Sequence, residues 1–348
     1  MSANPLSEAL VAPLHGDPRT VLRLADGSTL SADGLATLSG RLANALASLG
    51  AAPGDRIAVQ VEKSPTALAL YLACVRSGVV FLPLNTAYTP AEVAYFVGDA
   101  TPRIVVSDPA HAAELQEIAT ANAARLVTLD AAGGGSLTEI AHGQPSGFPD
   151  VPRAPGDLAA ILYTSGTTGR SKGAMLTQEN LLSNALTLVE AWRFTKDDVL
   201  LHALPIFHTH GLFVASNVML ASGGEMIFLP RFDAEEVIRR LPEATAMMGV
   251  PTFYTRLLAR SDFTREAVAH MRVFISGSAP LLAETHVAFE ARTGHRILER
   301  YGMTETGMNT SNPYDGERRA GTVGFPLPGV DVRVTDPEGG SPLPVGET

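Results

Sequence analysis

Short apolar runs that alternate with helical stripes constrain this chain more than any other feature. Leu35, Leu38, Leu42, Leu46 and Leu49 recur at helical spacing, and Gly50 closes the stripe, which predicts a helix ending there. Residues 57–61 then read as a strand, 64–75 as a helix and 79–82 as a strand. A further helix is predicted over 90–97, begun by Thr89 with Pro90 at the first helical position, and a strand over 104–107. The alternation resumes after Asp157, with strands expected near 159–163, 225–229, 246–250 and 273–276. Strand and helix in regular succession predict an α/β fold, with sheets that are largely parallel and flanked by helices.

The 348 residues are long for one core, so one large domain built from subdomains is expected. Residues 131–152 are rich in Gly, Ser and Pro and read as a surface linker, dividing subdomains of roughly 1–150 and 151–320. The end, 321–348, is dense in Gly and Pro with one strand-like run at 330–334, which predicts a smaller β-rich subdomain. A formal net charge of -10 argues against general nucleic-acid binding, which needs clustered Lys and Arg. The single cysteine, Cys74, excludes a disulfide framework within the chain and reads as a core residue. The N-terminus lacks a basic start followed by an apolar run. The longest apolar stretch, 67–84, is broken by Arg76, Gly78 and Pro83 and reads as helix, turn and strand rather than a membrane span. A cytoplasmic address is expected.

The apolar strand at Ala160 to Tyr163 runs into Thr164-Ser165-Gly166-Thr167-Thr168-Gly169-Arg170-Ser171-Lys172-Gly173. Three glycines free the backbone so that successive N–H groups can turn toward one anion, and five hydroxyls with two cations suit a polyphosphate. The common P-loop pattern fails, because Gly173 follows Lys172 and Ala174-Met175-Leu176 reads as a second strand rather than a helix start. A Ser/Gly surface hairpin is the plain alternative.

Residues 163–172 resemble the phosphate-binding signature of the adenylate-forming superfamily, which includes acyl-CoA synthetases, peptide-synthetase adenylation domains and luciferases. Two further segments match in the expected order. Pro205-Ile206-Phe207-His208-Thr209-His210-Gly211 is similar to a segment at the family's acyl pocket, and Tyr301-Gly302-Met303-Thr304-Glu305 to its Tyr-Gly-x-Thr-Glu segment. The resemblance runs from about Leu35 onward and covers the family's N-terminal domain only. The family's smaller C-terminal domain, which rotates between half-reactions and carries a catalytic lysine, has no match among these residues. Without it, binding of nucleotide and acid with little turnover is the alternative expectation.

The resemblance implies that Thr164, Ser165, Gly166, Thr167, Thr168, Gly169 and Lys172 hold the terminal phosphates of ATP. It implies that Glu305, with the Thr164 hydroxyl, binds Mg²⁺ through hard oxygen ligands. Tyr301 would stack on adenine opposite Gly277, Ser278 and Ala279, with Glu299, Gly302 and Met303 alongside. Thr304 would contact the α-phosphate. Chemically, a carboxylate must be brought to ATP, made a mixed anhydride with AMP, and passed to the thiol of CoA, so two anions must be shielded together.

The acid is read from Arg300. Many relatives carry a small residue directly before the Tyr-Gly-x-Thr-Glu segment. An arginine there shortens the pocket and presents a guanidinium that can grip a second carboxylate. A short diacid is expected, and the segments 207–211, 299–305 and 308–311 together resemble malonyl-CoA synthetases. In those, positions matching Thr209 and Met308 lie near the middle carbon of the substrate. One methyl group is worth about 0.8 kcal/mol of burial, so methylmalonate is expected as a weaker substrate. His208, Arg256 and Ser276 are further candidates for the acid. Two alternatives stay open: a salt bridge between Arg300 and Glu299, and plain packing for His208. A ligase for another short acid or an aryl acid is the competing enzyme.

Overall fold

The computed structural model describes residues 4–164, 170–344 and 346. Among these, two sheets carry the fold. One has six strands in the order Arg125–Thr128, Ile104–Ser107, Arg56–Gln60, Val80–Pro83, Leu158–Thr164 and Lys172–Thr177. All of its pairs are parallel except the last, an antiparallel hairpin in which Thr164 faces Lys172. The other sheet has nine strands, with a parallel centre formed by Val273–Ser276, Ala246–Gly249, Val199–His202, Glu225–Phe228 and Thr20–Leu24. Antiparallel strands close its edges, including Leu298–Met303 against Gly307–Ser311. This is the α/β architecture, with largely parallel sheets, expected from the alternation.

Local chemistry explains the helix starts. Ser31 caps Ala32–Ser48 by accepting from the Gly34 N–H, and Thr89 forms a reciprocal cap with Glu92 at Pro90–Ala100. The helix Pro65–Ser77 is buried along nearly its whole length, Cys74 included, so its residues read as apolar all round. Tyr71 on that helix packs edge-on to Phe81 of the six-stranded sheet and near Phe213, and its hydroxyl accepts from Asn217. Apolar side chains from both sheets therefore meet in one continuous core.

Two local expectations change. The segment 131–152 is no free linker: Ser136–His142 is a helix that buries Leu137 and Ala141. Arg76 then ties the segment down, donating from Nε to Asp150 at 2.8 Å and from Nη2 to the Phe148 carbonyl at 2.8 Å. Its Gly, Ser and Pro content hid a single apolar turn. The expected strand at 330–334 does not form; Val332 and Val334 are exposed, and no described strand lies beside them to complete a ladder. The described residues of 321–346 hold one two-residue strand, Phe325–Pro326, and one bridge, Thr335 to Pro342.

Candidate active site

Parallel strands deliver their carboxyl ends to one edge, and loops leaving those ends build the site. Leu158–Thr164 ends on Thr164, Val199–His202 leads into the loop 203–211, and Val273–Ser276 leads into Gly277 and Ser278. Together with Arg300 and Thr304 these surround a cavity of about 660 Å³. The structure thereby gathers Thr164, His208, Thr209, Ser278, Arg300, Gly302, Met303, Thr304 and Met308 around one space. Ser165, Gly166, Thr167, Thr168 and Gly169 lie outside the described residues.

At one end of the cavity, Thr164 Oγ1 donates to Glu305 Oε1 at 3.0 Å across 141 positions of sequence. Both are hard oxygen donors suited to a divalent cation whose remaining ligands come from phosphate and water. No described group of three or more His, Cys, Asp or Glu side chains could hold a metal without such help. Lys172 is exposed at the start of the returning strand. The limbs of this hairpin are held by the helix Pro90–Ala100. Tyr95 donates from its hydroxyl to the Ser171 carbonyl at 2.8 Å, and Tyr163 donates to Asp99 Oδ2 at 2.5 Å while its ring packs on Phe96. Arg170 lies over the Tyr95 ring, 5.5 Å from its centroid.

Arg300 is the other pole. It is 3% exposed, and its Nε and Nη2 have no hydrogen-bond partner within the described chain. Burial pushes its pKa down to about 10, so at neutral pH it remains a cation. The alternative of a salt bridge to Glu299 is not realised. Strand alternation sends the neighbouring Glu299 elsewhere, where its buried carboxylate accepts from the Leu281 N–H at 3.1 Å. Ser276 is also buried, with its hydroxyl unpartnered.

His210 belongs to this group. It is buried, its Nδ1 lies 3.1 Å from the Ser278 hydroxyl, and its Nε2 has no partner. Burial first and Arg300 second hold its pKa well below the ordinary imidazole value. Ser278 takes φ 72, the left-handed region that costs a non-glycine residue energy and tends to mark functional turns. His208 stands open to the cavity rather than packed away.

Thr209 and Met308 form a wall. The Thr209 hydroxyl donates to that of Thr304 at 3.3 Å, and Asn184 fixes the Met308 backbone by accepting from its N–H and donating to its carbonyl, both at 3.1 Å. Behind this wall lies a second cavity of about 290 Å³, lined by Thr209, Thr304 and Met308 from one side and by Asn184, Phe213 and Leu327 from the other.

Several candidates fall elsewhere. Arg256 does not line the cavity; it sits on the exposed face of Pro251–Leu258 with its guanidinium 4.8 Å from the Phe232 ring centroid. Its helix turns outward one residue after the strand end, which sequence spacing alone did not reveal. Tyr301 is 44% exposed and Ala279 is exposed, both outside the cavity lining. Gly277 lies directly beneath the Arg300 guanidinium.

This edge of the fold carries a Thr–Glu oxygen pair at one end of a cavity and an unpartnered buried guanidinium at the other. The chain belongs to the AMP-binding enzyme family, which it matches over residues 10–348. Among solved structures it is similar to ATP-bound MatB from Rhodopseudomonas palustris, at 57% identity and a TM-score of 0.97 over 100% of this chain and 69% of that one. It is also similar to a malonyl-CoA ligase in a ternary product complex with methylmalonyl-CoA and AMP, at 35% identity and a TM-score of 0.77 over 94% of this chain and 66% of that one. A malonate–CoA ligase of Arabidopsis thaliana is 35% identical over 311 residues, 83% of this chain and 51% of that protein. The chain spans about half the length of the curated relatives it matches.

Proposed function

We propose that this chain provides the nucleotide and acid sites of an AMP-forming acid–thiol ligase whose acid is malonate. The observation that carries the reading is Arg300, a buried guanidinium facing the cavity with two nitrogens unpartnered. Burying such a cation costs several kcal/mol unless a partner arrives, and a second carboxylate is the partner whose geometry fits. His210 Nε2 offers a further contact.

In this reading one malonate carboxylate pairs with Arg300. The other is thereby directed toward Thr304 and the Thr164–Glu305 end, where the triphosphate lies. Its oxygen attacks the α-phosphorus, the bond to the β-phosphate oxygen breaks, and malonyl-adenylate and pyrophosphate result. The thiol of CoA, losing its proton, then attacks the acyl carbon and AMP departs, leaving malonyl-CoA. Glu305 and Thr164 would hold Mg²⁺, which when bound neutralises phosphate charge. Thr304 supplies a hydroxyl donor.

In this reading the wall of Thr209 and Met308 would lie beside the substrate's middle carbon, so methylmalonate would be a weaker substrate; a related ligase holds methylmalonyl-CoA. The reading treats residues 1–348 as the family's large domain, with subdomains near 1–150, 151–320 and 321–348. Pyrophosphate release is to be measured with malonate, methylmalonate, succinate, acetate and benzoate, alongside calorimetric binding of each acid. Malonate should exceed the others in both; equal responses to malonate and acetate would rule out the diacid, and a preference for benzoate would favour an aryl-acid ligase.

A further inference from the structure

We infer that Lys63 is a positioning residue for the acid pocket, bracing both ends of the loop 203–211 from inside the core. The inference deepens the malonate reading and rests on it for the identity of the ligand. Lys63 lies between the strand Arg56–Gln60 of the six-stranded sheet and the helix Pro65–Ser77, yet it is only 7% exposed. No carboxylate pairs with it among the described residues. Its Nζ instead reaches across to the nine-stranded sheet. It donates to the His202 carbonyl at 2.7 Å and to the Leu204 carbonyl at 3.0 Å, and lies 2.9 Å from His202 Nδ1. The Phe228 ring, 4.1 Å away at its centroid, covers it.

An ammonium has three N–H donors and no lone pair. Two carbonyls and His202 Nδ1 take up all three donors, although burial holds the Lys63 pKa well below the usual lysine value; because the Gly211 carbonyl can only accept, the imidazole proton resides on Nε2. That nitrogen faces the Gly211 carbonyl at 2.9 Å and the Ser216 hydroxyl at 3.1 Å. One cation therefore fixes the start of the loop directly and its end through an imidazole. Between those two points stand His208, Thr209 and His210. The loop has no slack, because a Cβ on Gly211 would overlap the Pro205 carbonyl oxygen. For packing alone, an ammonium with no carboxylate partner is a poor choice, since an apolar side chain of the same length would fill the space without the desolvation cost. What methionine cannot do is hold three acceptors in a fixed arrangement.

The test compares the full chain with Lys63→Met and Lys63→Gln. Backbone hydrogen exchange over 203–211, the melting temperature, and calorimetric binding of malonate and of Mg-ATP are to be measured. In Lys63→Met, exchange in the loop and the Kd for malonate should each rise about tenfold, while the Kd for Mg-ATP changes less than about twofold. The melting temperature should stay within a few degrees, and Lys63→Gln, which keeps two donors, should recover part of the malonate affinity. Loop exchange that is unchanged in a folded variant would overturn the inference, as would malonate and Mg-ATP weakening together. Should Lys63→Met not fold, the same criteria apply to Lys63→Gln. A wild-type chain that binds no malonate defeats the functional reading, and the exchange measurement still decides whether Lys63 braces the loop.

Discussion

The guanidinium of Arg300 lies against the α-carbon of Gly277, in the space that a β-carbon would fill. The cavity floor therefore depends on a glycine 23 positions earlier in the chain. Gly277→Ala is expected to push Arg300 off its position, at a cost of about 1–3 kcal/mol for overpacking. Calorimetry should show malonate binding weakened about tenfold or more, with Mg-ATP binding nearly unchanged.

Arg300→Met separates function from stability. The substitution removes a buried cation with no partner, so the melting temperature should hold or rise. Malonate binding should be lost while Mg-ATP still binds. In thermal melts, added malonate should raise the transition of the wild type and leave that of the variant where it was. A drop of many degrees in the unliganded variant would contradict the view that Arg300 is a cost borne for the ligand.

Thr164 and Glu305 meet at 3.0 Å, and Glu305→Gln removes the only formal charge of that pair. Titrating Mg²⁺ at fixed ATP should then show at least about tenfold more metal needed for half-maximal nucleotide binding. Thr164→Val should shift the same curve less, because a hydroxyl contributes no net charge.

Tyr95 reaches the hairpin through its ring, beneath Arg170, and through one hydroxyl, and Tyr95→Phe keeps the ring and tests the hydroxyl bond alone. One hydrogen bond is worth about 1 kcal/mol, and the KM for ATP is expected to rise about threefold to tenfold. The KM for malonate should not move, since the acid pocket lies on loops that Tyr95 does not touch.

The buried imidazoles set the acid side of the stability profile. Burial, then Lys63, holds the pKa of His202 well below its ordinary value; burial, then Arg300, does the same for His210. Below about pH 6.5 the unfolded chain takes up protons that the fold refuses, so stability falls as pH falls, by about 1.4 kcal/mol per pH unit for each such group. The melting temperature should be lower at pH 5.5 than at pH 7.5, and His210→Gln should flatten that slope.

Much of the fold was legible because it rests on local signals. Thr89 before Pro90, Gly50 after a leucine stripe and the apolar strands each state their structure within a few residues, and each appears where expected. The run 330–334 was misread because a strand needs a neighbour as well as an apolar run, and that neighbour is not written locally. Within the site, the segments that carry Thr164, Arg300 and Glu305 were legible as motifs. Arg256 was misplaced because one turn of helix decides whether a residue faces a cavity or solvent. Lys63 was invisible: Glu62-Lys63-Ser64 reads as an ordinary solvated turn, and only the packing of two sheets buries it. His210 gave no local signal for the same reason, since its partner Ser278 lies 68 positions away.

The lone charge beneath the cavity reaches beyond recognition. A fold that carries an unpaired cation is less stable empty than loaded, because a bound anion shifts the unfolding equilibrium by mass action. Proteases and chaperones sample the open fraction of any chain, so its lifetime follows that fraction. If the acid that fills this pocket is scarce, molecules of this protein would turn over faster; when it is plentiful, they would accumulate. A side chain placed to choose a substrate would then also act as a gauge of supply, adjusting how much enzyme is kept without any dedicated regulator.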